Sequence, residues 1–325
     1  MRLGVEAAVV GGELVRGDVE VVGGLIARVG LEPGGTGTAI PGLVDLQVNG
    51  FAGVDFLDAD AADLRRAALE LARTGVTAFL PTLVTAPPER LVAALAEMAQ
   101  ADTPGILGAH LEGPFISPER LGAHPAAARR DPDLGLLERL LVAGPVRLVT
   151  LAPELPRAHE LIRGLRKREI AVSLGHSNAT AEEANAAFDL GARAVTHVFN
   201  AMRPFSHRDP GIAGAALARD DVVVQAILDG VHLAPETELV LWRATRGRLA
   251  LVSDHAAVEG GRLADGTLAG STASLLDCVR RLHALGAPLA EAVGAATAAP
   301  ARVLGDSSLG RLELGTPADV AILDD

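Results

Sequence analysis

The sequence predicts a (β/α)8 TIM barrel with a small β-sandwich domain formed by both chain termini. Three observations carry that prediction. Eight short β-branched or apolar runs alternate with alanine-rich helical stretches between residues 43 and 254. Glycine-rich turns punctuate the first forty residues, and the last seventeen read as a turn and a strand without a helix. Strands alternating with helices mean a parallel sheet, because a parallel connection needs a crossover and a helix supplies it. Eight such units close into a barrel.

Taken in order, residues 1–40 read as short strands joined at Gly11-Gly12, Gly23-Gly24 and Gly34-Gly35. The first run, LVDLQVN (43–49), ends in Gln47 and Asn49. Residues 58–74 then place Leu64, Ala67, Ala68 and Leu71 on one helical face, and Gly75 is placed to stop that helix. The second and third runs are VTAFLPT (76–82) and GILGAHLEG (105–113), the latter delivering Glu112. VRLVTLAPE (146–154) is the fourth. IAVSLGHS (170–177) brings His176 and AVTHVFN (194–200) brings His197. VVVQAILDG (222–230) leads to Asp229 and His232, and RLALVSD (248–254) ends on Asp254. LGRLELGTPADVAILDD (309–325) closes the chain. The expected division is a β domain from residues 1–42 and 309–325 and a hydrolase barrel from 43–308. A doubly wound open sheet would carry a glycine-rich phosphate loop after its first strand, and that loop is missing.

Composition narrows the class further. The 325 residues suit one barrel of about 250 residues plus an accessory unit. Apolar runs are broken within a dozen residues, short of the roughly 20 that span a bilayer. The N-terminal run carries Glu6 and alternates like a strand, unlike a signal-peptide core, so a soluble, cytoplasmic protein is expected. The one cysteine, Cys278, excludes an intramolecular disulfide, leaves metal binding to His, Asp and Glu, and sits at helical spacing suited to a core thiol. A net charge of −12 argues against a nucleic-acid partner or an anionic membrane surface, both of which need clustered cations. An anionic small substrate therefore needs a local arginine.

In such barrels the chemistry sits at the C-terminal ends of the strands. A lone strand histidine is more often structural, and a strand-end aspartate often caps the next helix. The joint register of Gln47, Asn49, Glu112, His176, His197, Asp229, His232 and Asp254 is harder to explain that way. Glu112, His176 and His197 offer one carboxylate and two imidazoles, a set for a divalent metal with a position open to water. Such a metal brings the pKa of its water towards about 7. Asp254 is then the candidate to accept that water's proton and pass it to a leaving amine. Hydrolysis of an amide or a related bond follows.

The segments PGLVDLQVNG (41–50), HLEGPF (110–115), LAPE (151–154), GHSNAT (175–180), THVFNAM (196–202), DGVH (229–232) and LVSD (251–254) resemble the N-acetylglucosamine-6-phosphate deacetylases of the amidohydrolase superfamily. The likeness runs over nearly the whole chain, to ADVAILD (318–324). HLEGPF and THVFNAM are specific together; PGLVD and the closing strand say only amidohydrolase. Many amidohydrolases carry His-x-His after the first strand, where Gln47 and Asn49 stand here. Neutral amides are poor zinc ligands, so the sequence resembles the one-metal branch, with one divalent ion, zinc by preference and iron, manganese or cobalt also compatible.

The resemblance implies further roles. His124, in GAHP, is expected to contact the acetyl carbonyl and stabilise its developing charge. His232 corresponds to a sugar-phosphate-binding histidine, and Asn200 with Ala201 to a backbone turn that receives the substrate. Arg208, in HRDPG, corresponds to a phosphate-binding arginine supplied by a neighbouring subunit, which implies a homodimer acting on a phosphorylated amino sugar. LAGSTASLLDCVRRL (268–282) resembles the loop and helix that close over the substrate. His159, His207 and His283 read as ordinary surface residues. His255 stands where the family has alanine, and strand alternation points it away from the site. Two alternatives stay open: another N-acetylated amino-sugar phosphate such as N-acetylgalactosamine 6-phosphate, and a catalytically dead scaffold, which would require a lost ligand or a lost Asp254.

Overall fold

The computed structural model describes residues 1–256 and 258–324. Eight parallel strands lie side by side in chain order: β1 (Leu43–Val48), β2 (Val76–Val84), β3 (Ala109–Glu112), β4 (Val146–Leu151), β5 (Ala171–Leu174), β6 (Ala194–Val195), β7 (Val223–Ala226) and β8 (Leu249–Leu251). Each of the eight predicted runs coincides with one of them, the second falling two residues short of the end of β2. Around them pack α1 (Ala61–Arg73), α2 (Pro88–Gln100), α3 (Leu134–Ala143), α4 (Ala158–Arg166), α5 (Ala181–Asp189), α6 (Gly211–Leu217), α7 (Pro235–Thr245) and α8 (Leu275–Ala284). Two short helices follow, α9 (Leu289–Ala295) and α10 (Ala298–Leu304).

Local sequence explains the helix limits. The Asp60 carboxylate accepts the backbone N–H groups of Ala62 and Asp63, starting α1, which buries Leu64, Ala67, Ala68 and Leu71. The chain then turns out of the helix at Gly75, whose φ of 88° is open to glycine at little cost. Ser274 and Asp277 form a reciprocal capping box on α8, which buries Cys278.

Inside, the strands stack side chains in layers, since every second residue faces the same way. Val44, Leu46, Ala78, Leu80, Leu148, Ala171, Ala194 and Val223 fill the lower part, and Ala299, Val303 and Leu304 of α10 close it from below. Two residues further along lies a polar belt. It runs from the Val48 N–H to Thr82 Oγ1 (3.1 Å), to His110 Nδ1 (3.2 Å), and from His110 Nε2 to Thr150 Oγ1 (2.8 Å). Thr196 continues it to Ser173 (2.8 and 2.6 Å), and Gln225 donates to Ser173 Oγ at 3.2 Å. Above the belt come the strand ends.

Neighbouring strands from β1 to β8 are joined by parallel ladders, but among the described residues β8 and β1 are not. Their seam is closed by the Asp254 N–H to the Gln47 carbonyl (2.8 Å) and the Asn49 N–H to the His255 carbonyl (2.8 Å).

The chain ends meet beside the barrel. Val320–Leu323 pairs antiparallel with Thr38–Pro41, which runs parallel to Ala7–Val10, which in turn pairs with Glu13–Arg16. A hairpin of Asp18–Val22 and Leu25–Leu31 lies against them. Val5, Ala8, Val19, Ile26, Ala39 and Leu312 form the shared core. No helix among the described residues is long and apolar enough to cross a membrane.

Candidate active site

A cavity of about 380 Å³ opens at the C-terminal ends of the strands. Its lining takes in Glu112, His124, His176, His197, Asn200, Ala201, His232 and Asp254, while the exposed Arg208 lies outside it. Strand order explains the gathering: Glu112 and His124 end or follow β3, His176 follows β5, His197, Asn200 and Ala201 follow β6, His232 follows β7 and Asp254 follows β8. The turns that follow are sharp. His176, His197 and Asp254 have φ of 46°, 25° and 47°, in the left-handed region that costs a side chain of order 1–3 kcal/mol. His176 follows Gly175, where a Cβ would lie 2.9 Å from both Thr150 and Thr196. The close approach of three strands there requires glycine.

Glu112, His176 and His197 are buried, and their ligand atoms lie within 4.8 Å of one another. His176 Nδ1 donates to the Arg120 carbonyl at 3.0 Å, because a carbonyl only accepts. In the neutral ring Nε2 is then a lone pair, and it faces Glu112 Oε1 at 3.1 Å and His197 Nε2 at 3.2 Å. His197 Nε2 is 2.9 Å from the same oxygen. A lone pair of His176 and the Glu112 carboxylate converging on one point, with His197 Nε2 beside them, call for a cation. Ligand atoms bonded at about 2.0–2.1 Å and arranged tetrahedrally stand roughly 3.3 Å apart, so the three residues fit a divalent ion. The charge balance agrees. Burial would raise the Glu112 pKa, but the imidazoles of His124, His176 and His197 that face it hold it well below the usual range. Burial, with the His124 ring beside it, pushes His176 down to about 4; His197 is raised, the Glu112 carboxylate overcoming burial.

The two amides at the end of β1 hold acids in place. Gln47 Nε2 donates to Glu112 Oε1 at 2.8 Å, and Asn49 Nδ2 donates to Asp254 Oδ1 at 2.8 Å. Burial and the Glu112 charge raise the Asp254 pKa to about 6, with His197 and Asn49 opposing. A carboxylate tuned so close to neutrality suits proton transfer in both directions.

Two histidines present defined tautomers. The Thr85 backbone N–H donates to His124 Nδ1 at 3.3 Å, which leaves the proton on Nε2, 3.6 Å from Glu112 Oε2. His232 Nδ1 donates to Asp229 Oδ2 at 2.8 Å. The backbone N–H groups of Val231 and His232 reach the other Asp229 oxygen at 2.8 and 2.9 Å. Burial alone would raise the Asp229 pKa, and these bonds instead depress it. His232 Nε2 stays free for the cavity.

Asn200 donates its side-chain amide to the carbonyls of His197 and Val198 (3.2 and 3.3 Å). Ala201, at φ 46°, takes the Ser177 N–H on its carbonyl at 3.2 Å. The loop carrying Arg208 is braced by Arg203 Nε on the Asp209 carboxylate at 3.0 and 2.8 Å. His255 turns away from the cavity: its Nδ1 donates to the Gly50 carbonyl at 2.8 Å and its ring packs on Phe51. Thr267–Gly270 complete the rim ahead of α8.

Thr85 escaped the sequence reading because the apolar run ends at Thr82, two residues short of the end of β2. Continuing the alternation through Val84 would have exposed it as one more strand-end polar residue. His110 is visible in HLEGPF, two residues before Glu112 and so on the same face, but its threonine partners come from other strands.

Comparison with known proteins agrees with this geometry. The model of the Amidohydrolase family matches residues 38–325. A human N-acetylglucosamine-6-phosphate deacetylase is 40% identical over 97% of this chain and 89% of its own length. An N-acetylgalactosamine-6-phosphate deacetylase of Escherichia coli O157:H7 is 38% identical over 87% of this chain and 83% of its own. A variant N-acetyl-D-glucosamine-6-phosphate deacetylase from Mycobacterium smegmatis, solved with N-acetyl-D-glucosamine-6-phosphate, superposes with a TM-score of 0.95 at 36% identity. That superposition covers 100% of this chain and 95% of the other. The chain therefore belongs to the amidohydrolase family, and within it to the N-acetylglucosamine-6-phosphate deacetylases.

Proposed function

We infer that the chain removes the acetyl group from N-acetyl-D-glucosamine 6-phosphate, releasing D-glucosamine 6-phosphate and acetate. The observation that carries this is the convergence of Glu112, His176 and His197 beside an aspartate with a raised pKa, in one cavity of a deacetylase-like barrel. When bound by those three residues, a divalent ion, zinc in our reading, supplies an acidified water and a Lewis acid for the amide carbonyl.

The chain's own groups do the rest. Asp254 takes the proton of the attacking water and delivers it to the glucosamine nitrogen as the C–N bond breaks. Asn49 holds one of its oxygens, so the other is turned to the substrate. His124 offers its Nε2 proton to the acetyl oxygen as charge develops there. Gln47 keeps Glu112 oriented. Asn200, Ala201 and His232 Nε2 receive the sugar phosphate. Arg208, exposed on its braced loop, serves the phosphate of a neighbouring subunit, so the working unit is a homodimer. Residues 1–42 and 309–325 act as a supporting β domain for the barrel of residues 43–308. A phosphorylated sugar substrate fits a cytoplasmic enzyme.

Acetate release from N-acetylglucosamine 6-phosphate, N-acetylgalactosamine 6-phosphate and unphosphorylated N-acetylglucosamine tests the substrate. The first should be fastest, and equal rates on the unphosphorylated sugar would sink the phosphate assignment. Mixing Arg208→Ala with Asp254→Asn chains tests the shared site. Activity should return on mixing, and failure to return would remove Arg208 from the neighbouring cavity.

A further inference from the structure

The seam between β8 and β1 lacks the ladder that joins every other neighbouring pair among the described residues. A buried carboxylate stands in its place. Asp45, on β1, is fully buried, and its Oδ1 accepts two backbone N–H groups at 3.2 Å each, from Gln47 on its own strand and from Ser253 across the seam. Ser253 Oγ donates to the Gln47 carbonyl at 3.3 Å, and the Asp254 N–H donates to that same carbonyl at 2.8 Å. The residues fastened by this cross-brace are those that carry the site. Gln47 holds Glu112, and Asn49, two residues on, holds Asp254.

A carboxylate is a poor choice for holding a core together. Helix α8 covers both seam strands, and the second Asp45 oxygen finds no partner among the described residues. An apolar side chain of similar size would bury at lower cost. Burial pushes the Asp45 pKa up to about 7, a measure of that cost. No apolar side chain, however, could grip one N–H on each strand. We propose that Asp45 is a positioning residue: by clamping Gln47 and Ser253 it sets the seam so that Gln47 meets Glu112 and Asn49 meets Asp254. Its effect on turnover rests on the reaction proposed above; its effect on the seam does not.

The test compares Asp45→Asn with Asp45→Ala in the full chain loaded with its divalent ion. Asparagine keeps an acceptor oxygen facing both N–H groups, and alanine removes it. Expected for Asp45→Ala is a kcat about 10–100-fold lower, the range for residues that orient catalytic groups, with KM within about twofold and metal content unchanged. Asp45→Asn should restore kcat to within about threefold of the parent. Hydrogen exchange of peptides spanning 43–50 and 249–256 should quicken in Asp45→Ala only, and it is read without turnover. A parent lacking deacetylase activity would therefore overturn the reaction and leave the seam measurement standing. Unchanged kcat and exchange in Asp45→Ala would overturn the proposal. So would an Asp45→Asn chain as impaired as Asp45→Ala, or faster exchange throughout the barrel together with lost metal and raised KM. Should Asp45→Ala not fold, Asp45→Ser takes its place; if neither folds while Asp45→Asn behaves as the parent, the role is structural and the proposal falls.

Discussion

At the closed end of the barrel, Val44, Leu46, Ala78 and Leu80 meet Val303 and Leu304 of α10 in an apolar layer. At the mouth, at the C-terminal ends of other strands of the same barrel, Glu112, His176, His197 and Asp254 are also buried, and three of the four sit in left-handed turns. One end gains stability from burial, about 25 cal/mol per Å2 of apolar surface. The other gives stability up, through buried charge and strained backbone. The polar belt of Thr82, His110, Thr150, Ser173 and Thr196 separates them, its side chains hydrogen-bonded to one another from strand to strand. The contrast teaches that function here is placed where the fold is least comfortable, and that the lower layer makes this tolerable. A second cavity, larger at about 900 Å³ and lined by Trp242, Arg246, Arg302 and Arg311, has no histidine in its lining. Size does not identify the site; chemistry does.

Substitutions at the two ends should therefore separate activity from stability. The largest effect is expected of Asp254→Asn, which keeps the Asn49 hydrogen bond but removes the proton carrier. Its kcat should fall about 10²–10⁴-fold, with metal content intact and thermal unfolding near that of the parent; near-normal turnover would remove the central claim. Leu80→Ala, in the lower layer, should do the reverse. It should destabilise by about 2–5 kcal/mol in denaturant titration while specific activity at low temperature is kept, and a large activity loss without destabilisation would erase the contrast.

A smaller effect sharpens the comparison at the seam. The Asp45 pKa of about 7 lies above its ordinary 3.8, so the folded chain binds that proton more tightly than the unfolded chain does. Stability is therefore least penalised below the ordinary value and falls as pH rises through 3.8 to about 7. Asp45→Asn, which has no proton to lose, should gain on the parent by about 1–2 kcal/mol across that window once the interior relaxes around the charge. A constant difference between the two chains from pH 4 to 8 would contradict this. The smallest effect is expected of Ala201→Gly. Its φ of 46° suits glycine, so the melting temperature should rise by the equivalent of about 1 kcal/mol or less; a fall would show that the turn is not strained.

Much of this was legible because it is local. Period and residue type mark the eight runs, and the α1 face of Leu64, Ala67, Ala68 and Leu71 is where the spacing puts it. The ligand trio stands out because Glu112 and His176 fall at the ends of apolar runs and His197 lies within another. What escaped depends on distant partners or on backbone shape. The run 194–200 reads as one strand, yet β6 stops at Val195 because His197, Phe199 and Ala201 all turn left-handed without a glycine to announce it. Gln47 and Asn49 could be recognised as unlikely ligands from their amides alone, but not that each grips a particular acid. Asp45 passes for an ordinary strand residue until Ser253, 208 positions away in sequence, is seen to donate to it.

Because α10 stoppers the lower end, the barrel is a cup rather than a pipe. The cavity opens at the mouth, where Thr267–Gly270 form part of its rim. The sugar phosphate and the amino sugar it yields would occupy the same mouth, so the bulky product stands in the path of the next substrate. Glucosamine 6-phosphate should thus inhibit in direct competition with the substrate, raising KM and leaving kcat unchanged.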